Sequence, residues 1–394
     1  MENKQLNTKE RDKAFVAPTY ARFDLEIVSG KGAHLYDEAG KEYIDMGTGI
    51  ATNTFGACDP EWISAVTDQL GKIQHASNLY YTAPCATLAE LLCTRTGACR
   101  VFFGNSGAEA NECAIKVARK WARMTKGEGD YSIITLKNSF HGRTVTTLAA
   151  TGQEVFHTDF GPFPAGFLYT DANDLPSVEA LARANPCAAV MMEPVQGEGG
   201  VMPLEPEFVK GVRALCDELG MLLIFDEVQT GNGRCGTLYA YEQFDVKADV
   251  VTTAKGLGGG LPIGACMLFE SVREVLTPGS HGSTFGGNPV AAAGAANIIS
   301  RLDEQTLAGV RERSEYVRSR LTGAPGIKSV SGMGLMLGVE CERDVNAVIA
   351  DCMAEGVLPI KAKSKLRLLP PLNIPMADLE RAIDVILAAA AKKM

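Results

Sequence analysis

What the chain lacks narrows it before anything it contains. No apolar run approaches the roughly 20 residues that cross a bilayer, and the opening MENKQLNTKERDK is polar where a secretory leader would carry an apolar core. No basic run appears and the formal net charge is −9, so neither a nucleic-acid surface nor a membrane partner is expected. The five histidines form no HExxH, and no metal site is expected. The eleven cysteines include no CxxC pair, which argues against a zinc ribbon or a thioredoxin-like site. They read as reduced thiols of a cytosolic (cytoplasmic) protein, mostly small core residues. Ser106 and Ser283 lie in glycine turns and not in GxSxG, so a serine-hydrolase reading fails. What is left is 394 residues with 46% hydrophobic and 22% charged content, an ordinary globular composition with enough chain for a large core.

Strand-like and helix-like stretches alternate along the chain. Residues 33–37 and 41–45 flank Glu38-Ala39-Gly40 as a hairpin, and 60–72 has a helical apolar spacing. Residues 100–103 read as a strand that turns at Gly104 into a helix, with Ser106 and Glu109 in capping-box spacing. Further strands are expected at 132–136, 188–192, 221–225, 250–253 and 265–269, and a helix at 206–219. Strands alternating with helices predict an α/β fold, a mostly parallel central sheet covered on both faces. After an Ala-rich helix at 289 the texture changes, and helices near 305–322 and 377–392 around short strands predict a smaller α+β domain. The expected division is an arm and part of the small domain in 1–60, a large domain in 61–290, and the C-terminal small domain in 291–394.

The chemistry gathers at strand ends. The run Met221–Phe225 delivers Asp226 and Glu227, and Val250–Thr253 delivers Lys255 ahead of a glycine-rich loop. A carboxylate and a lysine at the carboxyl edge of an open sheet stand where such folds bind ligands. An Asp beside a pyridinium nitrogen and a Lys condensed with an aldehyde are the protein side of pyridoxal-phosphate chemistry. Taken alone, Lys255 is equally a solvated lysine before a flexible loop. The turn at 104–109 is either a plain strand–helix connection or an anion site built from free N–H groups at a helix start. Gly231–Gly236 matches GxGxxG, but no capped helix begins there, so a dinucleotide site is not expected. His141 is a possible general base, but nothing nearby in sequence supplies an orienting carboxylate, and a structural role is the plainer reading.

These pieces occur together and in order. Asn105–Asn111, Ser139–Thr144, Glu193–Gly200, Phe225–Gly231, Thr253–Gly256 and His281–Pro289 resemble the motifs of the class III (omega) aminotransferases of fold type I, closest to the acetylornithine aminotransferase group. The resemblance spans nearly the whole chain. It implies that Ser106, Gly107 and Ala108 hold the cofactor phosphate, that Phe140 and Val228 face the two sides of the ring, and that Asp226 pairs with its nitrogen. Gln229 would lie near the ring hydroxyl, Lys255 would form the Schiff base with pyridoxal 5'-phosphate, and Thr284 would reach the phosphate in a partner subunit's site. A homodimer with shared active sites follows.

The resemblance further implies that Arg143 grips the substrate's distal carboxylate and that Ser283 lies near the substrate. Glu198 and Arg367 match a gate pair, with Arg367 masked for one substrate and freed for the other. The implied activity moves the terminal amine of N2-acetyl-L-ornithine (N-acetylornithine) to 2-oxoglutarate, giving N-acetylglutamate semialdehyde and glutamate in arginine biosynthesis. Succinylornithine, N-succinyl-diaminopimelate or GABA are alternative amine donors. Ile50 stands where ornithine aminotransferases carry a tyrosine, which counts against free ornithine. Two departures from the group are the histidine-free turn Gly56–Pro60 and the basic stretch Lys361-Ala362-Lys363-Ser364-Lys365, whose extra cations favour an additional anionic group on the substrate.

Overall fold

Seven strands stand side by side in the order Arg100–Gly104, Gly264–Leu268, Val250–Thr253, Leu222–Asp226, Cys187–Met192, Ser132–Leu136 and Phe167–Thr170. The structure, a computed structural model, describes residues 6–129 and 131–392, so the first five residues of the expected arm and the last two of the expected C-terminal domain lie outside the described residues. Pairing is parallel from Val250–Thr253 through to Phe167–Thr170, and Gly264–Leu268 is antiparallel to both its neighbours. The mostly parallel sheet expected from the alternating pattern is present, with one strand reversed. The connection explains the reversal. After Thr253 the chain returns through the short turn Lys255–Leu257 and a glycine loop, too little chain for the crossover that a parallel neighbour needs.

Alternation within the central strand assigns its side chains to two layers. Leu222 and Ile224 pack with Cys113, Ile115 and Val117 of the helix Gly107–Lys126. Leu223 and Phe225 pack on the other face with Phe208, Val212 and Leu215 of the helix Pro206–Leu219. Every residue of Leu222–Asp226 and Val250–Thr253 is buried, which is why Leu222–Phe225 reads as a continuous apolar run and Val250–Thr253 as β-branched throughout rather than as an alternating pattern. The helix Pro289–Arg301, on the far side of the expected boundary at 290, sends Ala291, Ala295 and Ile298 into this larger core.

A second core joins the two ends of the chain. Ala33, Ile44 and Met46 pack with Val317, Leu337, Leu366, Ile383 and Ile386. The hairpin His34–Asp37 and Glu42–Asp45 is completed by Val357–Leu358, which lies parallel to Glu42–Asp45 with Val357 opposite Ile44. A four-stranded sheet carrying Ile327–Met333, Met336–Cys341, Lys365–Leu368 and Ile360–Ala362 lies beside it in the same part of the chain. The smaller α+β unit built from both chain ends is therefore as the sequence led us to expect. Among the described residues, no helix is long and apolar enough to cross a membrane.

Candidate active site

Six of the sequence-selected residues around the strand ends, Gly107, Phe140, Arg143, Asp226, Val228 and Lys255, line one cavity of about 420 Å³. Ser106, Ala108 and Gln229 line it too. It opens at the carboxyl ends of the parallel strands, where successive strands can each offer one side chain to a ligand.

Strand geometry separates the two acids that end Leu222–Asp226. Neighbouring side chains point to opposite sides, so Asp226 faces the cavity while Glu227 turns into the protein. Asp226 Oδ2 accepts from Asn111 Nδ2 at 2.7 Å and from His141 Nδ1 at 2.8 Å, and Oδ1 accepts from the Val228 N–H at 3.0 Å. Thr252 Oγ1 donates to Asn111 Oδ1 at 2.6 Å, so the residue that orients Asp226 is itself oriented. The carboxylate partner that His141 lacks in sequence is thus Asp226, 85 positions away. Sequence reading missed this pair because no local spacing encodes it. Glu227 instead accepts from Thr230 Oγ1 and the Tyr241 N–H, both at 2.6 Å. Burial pushes its carboxyl up to about 7, against those two donors.

The helix start is an anion cradle. The Ser106 side chain accepts from the Glu109 N–H at 3.1 Å, as the spacing predicts. Glu109 does not complete the reciprocal box; its carboxylate accepts from the Asn105 N–H and from Asn105 Nδ2. The reach-back overshoots by one residue because Asn105 offers two donors together. The N–H groups that begin the helix at Gly107 and Ala108 face the cavity with no intrahelical acceptor. A Cβ at Gly107 would stand 2.6 Å from Val228 Cγ1, so only glycine lets this cradle close on Val228.

Lys255 has left-handed backbone, φ +44°, a conformation that costs energy outside glycine and clusters at functional sites. Its turn is braced on both sides. Asn232 Nδ2 donates to Thr253 Oγ1 at 2.9 Å and to Ala254 O at 3.1 Å, and Thr54 Oγ1 donates to Gly256 O at 2.7 Å. The Gly231–Gly236 run therefore serves this site as a brace, in keeping with the absence of a helix after it. Among the described residues, Lys255 Nζ makes no hydrogen bond or ion pair. Burial pushes its amine below the ordinary lysine range, although Glu198 and Asp226 pull the other way. An unpartnered amine in a cavity, its charged form disfavoured by burial, is a nucleophile in wait.

Arg143 is on the cavity wall, its guanidinium 4.1 Å from the Phe156 ring centroid and 5.4 Å from that of Phe140. Among the described residues it has no carboxylate partner, so an anion entering the cavity meets an uncommitted fork. Glu198 and Arg367 do not line this cavity but lie against Gln229, which does. Arg367 Nη1 donates to Glu198 Oε1 at 2.5 Å and to Gln229 Oε1 at 3.1 Å. Burial opposes the charge on Glu198, but Arg367 more than offsets it, and the carboxyl is held below its ordinary value.

Two more expected site residues stand outside this cavity. Ser283 Oγ accepts from Asn105 Nδ2 at 3.1 Å, on the outer side of the cradle, and Thr284 is exposed beside it. Both line a separate hollow with His281 and Phe285. Ile50, exposed, belongs to a left-handed turn that leads to Thr52 on the cavity wall, with φ +64°. Of the basic stretch, Lys361 reaches Asn346 Oδ1 at 3.0 Å, Lys365 reaches Ser331 Oγ at 2.9 Å, and Lys363 reaches Asn138.

The residues fit pyridoxal phosphate on these observations. There is an anion cradle only glycine permits, a buried acid held in place by three donors, and an unpaired amine opposite them. A sheet and a site of this kind define a fold type I, pyridoxal-phosphate-dependent aminotransferase. The model of the family "Aminotransferase class-III" matches residues 15–390, and the chain belongs to that family. It is 49% identical over 380 residues to the acetylornithine aminotransferase of Haemophilus ducreyi, covering 96% of this chain and 97% of that one. Among solved structures it is similar to the N-acetylornithine aminotransferase of Stenotrophomonas maltophilia (39% identity, TM-score 0.82, covering 94% of this chain and 97% of that one). It is also similar to the ornithine aminotransferase of Toxoplasma gondii, in which PLP partially occupies the active site (33% identity, TM-score 0.91, covering 96% of this chain and 93% of that one).

Proposed function

We propose that this aminotransferase moves the terminal amino group of N2-acetyl-L-ornithine to 2-oxoglutarate, yielding N-acetyl-L-glutamate 5-semialdehyde and L-glutamate. The observation that carries the reading is Lys255 Nζ, unpartnered and facing a cavity that also holds Asp226 and the free fork of Arg143. Relatives up to 49% identical over almost the full chain are acetylornithine aminotransferases, and this supports the acyl-ornithine choice over free ornithine or GABA.

When bound, pyridoxal phosphate supplies an aldehyde for amines and a ring that accepts electrons from the carbon losing a proton. The N–H groups at Gly107 and Ala108, with Ser106, would hold its phosphate. Phe140 and Val228 would confine the ring, Asp226 would fix its nitrogen, and Gln229 would lie at its hydroxyl. Lys255 Nζ would take the proton from the substrate carbon that carries the amine and pass it on to the cofactor within the same half-reaction, and would run that transfer in reverse in the second; a positioned proton-transfer group contributes roughly 10²–10⁴-fold. Arg143 would hold the distal carboxylate of acetylornithine bidentately. Arg367, masked by Glu198 for that substrate, would be released to hold the α-carboxylate of glutamate. Ser283 and Thr284, outside this chain's own cavity, would serve the site of a second copy, Thr284 at its phosphate. A two-fold homodimer is the commonest assembly able to do this. We place the division of domains near the two cores, with residues 1–60 shared between the arm and the small unit.

The test compares turnover of acetylornithine, succinylornithine, ornithine and GABA with 2-oxoglutarate at equal concentrations, together with borohydride trapping. Acetylornithine should give the largest kcat/KM, and reduction should bleach the protein with the label on Lys255. A larger kcat/KM for ornithine or GABA would overturn the substrate reading, and a colourless protein with no label would overturn the chemistry.

A further inference from the structure

Glu193 has no part in the roles described so far, yet it sits where two working loops meet. It ends the strand run Cys187–Met192, neighbour of the strand that delivers Asp226, and it lines the same cavity. Its side chain is buried, 5% exposed. Oε1 accepts from the Phe140 N–H at 2.8 Å and Oε2 accepts from the Gly197 N–H at 3.2 Å. One carboxylate thus closes a link between two segments that share no strand. One is the loop that carries Phe140 and Arg143. The other is the turn between Val195–Gln196 and Met202–Pro203, which carries Glu198.

The turn has little freedom to find another place. A Cβ at Gly197 would stand 2.6 Å from Gln229 Nε2, and one at Gly199 would stand 2.8 Å from Asn138 O. Gly197 is therefore pressed against the residue that Arg367 also contacts, and Gly199 against the start of the Phe140 loop. The two N–H groups need acceptors, because an unpaired buried donor is costly, and in the described residues Glu193 supplies both. A carboxylate suits this geometry as no other side chain of its size does, since only it has two acceptor oxygens and no donor.

We propose that Glu193 is a positioning residue that locks the Phe140–Arg143 loop to the Glu198 turn, so that the cofactor-facing wall and the gate over Arg367 are set as one unit. The inference rests on the roles assigned above to Phe140 and Glu198. Its consequence is that a change at Glu193 disturbs ring confinement and substrate discrimination together, although the roles proposed above assign no substrate contact to Glu193. Glutamine is the sharp probe. It keeps size and one acceptor but turns an NH₂ toward one of the two N–H donors, so one loop must let go.

The experiment uses wild type and Glu193→Gln as full-length protein. Three readouts are taken: melting temperature, the dissociation constant of pyridoxal phosphate by absorbance titration after its removal, and single-turnover rates of each half-reaction. Leaving one buried donor unpaired should weaken cofactor binding about tenfold and shift the ratio of the acetylornithine and glutamate half-reactions by a similar factor. If the variant melts lower but binds cofactor as wild type does and slows both half-reactions equally, Glu193 is structural only and the proposal fails. Should Glu193→Gln not accumulate in folded form, Glu193→Asp takes the same measurements; it keeps the charge but spans one N–H and not both. Wild-type colour and borohydride trapping on Lys255 test the underlying reading separately, so its failure is distinguishable from failure of the lock.

Discussion

At one end of the cavity Asp226 is held by Asn111, His141 and the Val228 N–H within 3.0 Å. Next to the cavity, Arg367 is held by Glu198, by Gln229 of the cavity wall and, at 3.4 Å, by the carbonyl of Lys361. The first set comes from strand ends and a helix inside the larger core. The second joins a strand of the small unit to a turn of the large one. Preorganised groups on a rigid frame suit an unchanging task, such as fixing one ring nitrogen and one proton-transfer atom. A single charge pair between separate elements can be exchanged for a substrate carboxylate. In the proposed mechanism one set therefore stays and the other alternates, as two substrates in one pocket require.

The largest effect should come from the fixed end. Lys255→Ala removes the only lysine amine that lines the cavity among the described residues, and each half-reaction should fall by more than about 10³-fold, measured in single turnovers. If the variant retained even a tenth of wild-type rate, another base would have to be found. Asp226→Asn comes next. It keeps the shape and loses the charge that Asn111 and His141 have been arranged to support, so activity should fall about 10²-fold with an altered visible spectrum. An unchanged spectrum would detach Asp226 from the ring nitrogen. At the alternating end, Glu198→Ala should move the balance between the halves, by about tenfold in favour of glutamate, with smaller change in the sum of rates. Equal change in both halves would dissolve the contrast between the two ends.

The same contrast explains what could be read from the chain. The fixed end was legible because its residues sit at the ends of unbroken apolar runs or in a glycine turn before a capped helix. Asp226, Lys255 and Gly107 need only local pattern to be noticed. The orienting partners were not legible: His141 meets Asp226 across 85 positions, and Glu198 meets Arg367 across 169. Sheet order decides those meetings, and residue spacing does not carry it. For Glu198 and Arg367 it was resemblance to a family, not spacing, that raised the expectation. In the fold, the parallel core followed from the alternating pattern, while the union of chain ends was expected with the fold type I class and the reversed strand Gly264–Leu268 depended on the shortness of one loop. Helices such as Ala83–Thr96 went unread because small residues blur their apolar face.

The smallest effect isolates the acid beside Asp226. Glu227 is pushed up to about 7 from an ordinary 4.5, chiefly by burial. The folded protein therefore keeps this proton over a range where the unfolded chain has lost it. Its contribution to stability is fully present below about 4.5 and is lost as pH rises toward 7, at up to about 1.4 kcal/mol per pH unit. Glutamine should fit here, unlike at Glu193. Its oxygen can accept from the Tyr241 N–H, and its NH₂ can donate to Thr230 Oγ1, since a hydroxyl accepts as readily as it donates. Glu227→Gln should therefore match wild type near pH 5, lose less stability between pH 5 and 8, and leave both half-reactions within about twofold. Glu193 is pushed into the same range, so only the difference between wild type and this variant reports on Glu227. A variant whose melting temperature falls with pH as steeply as wild type's would show that Glu227 is ionised in the folded protein throughout that range.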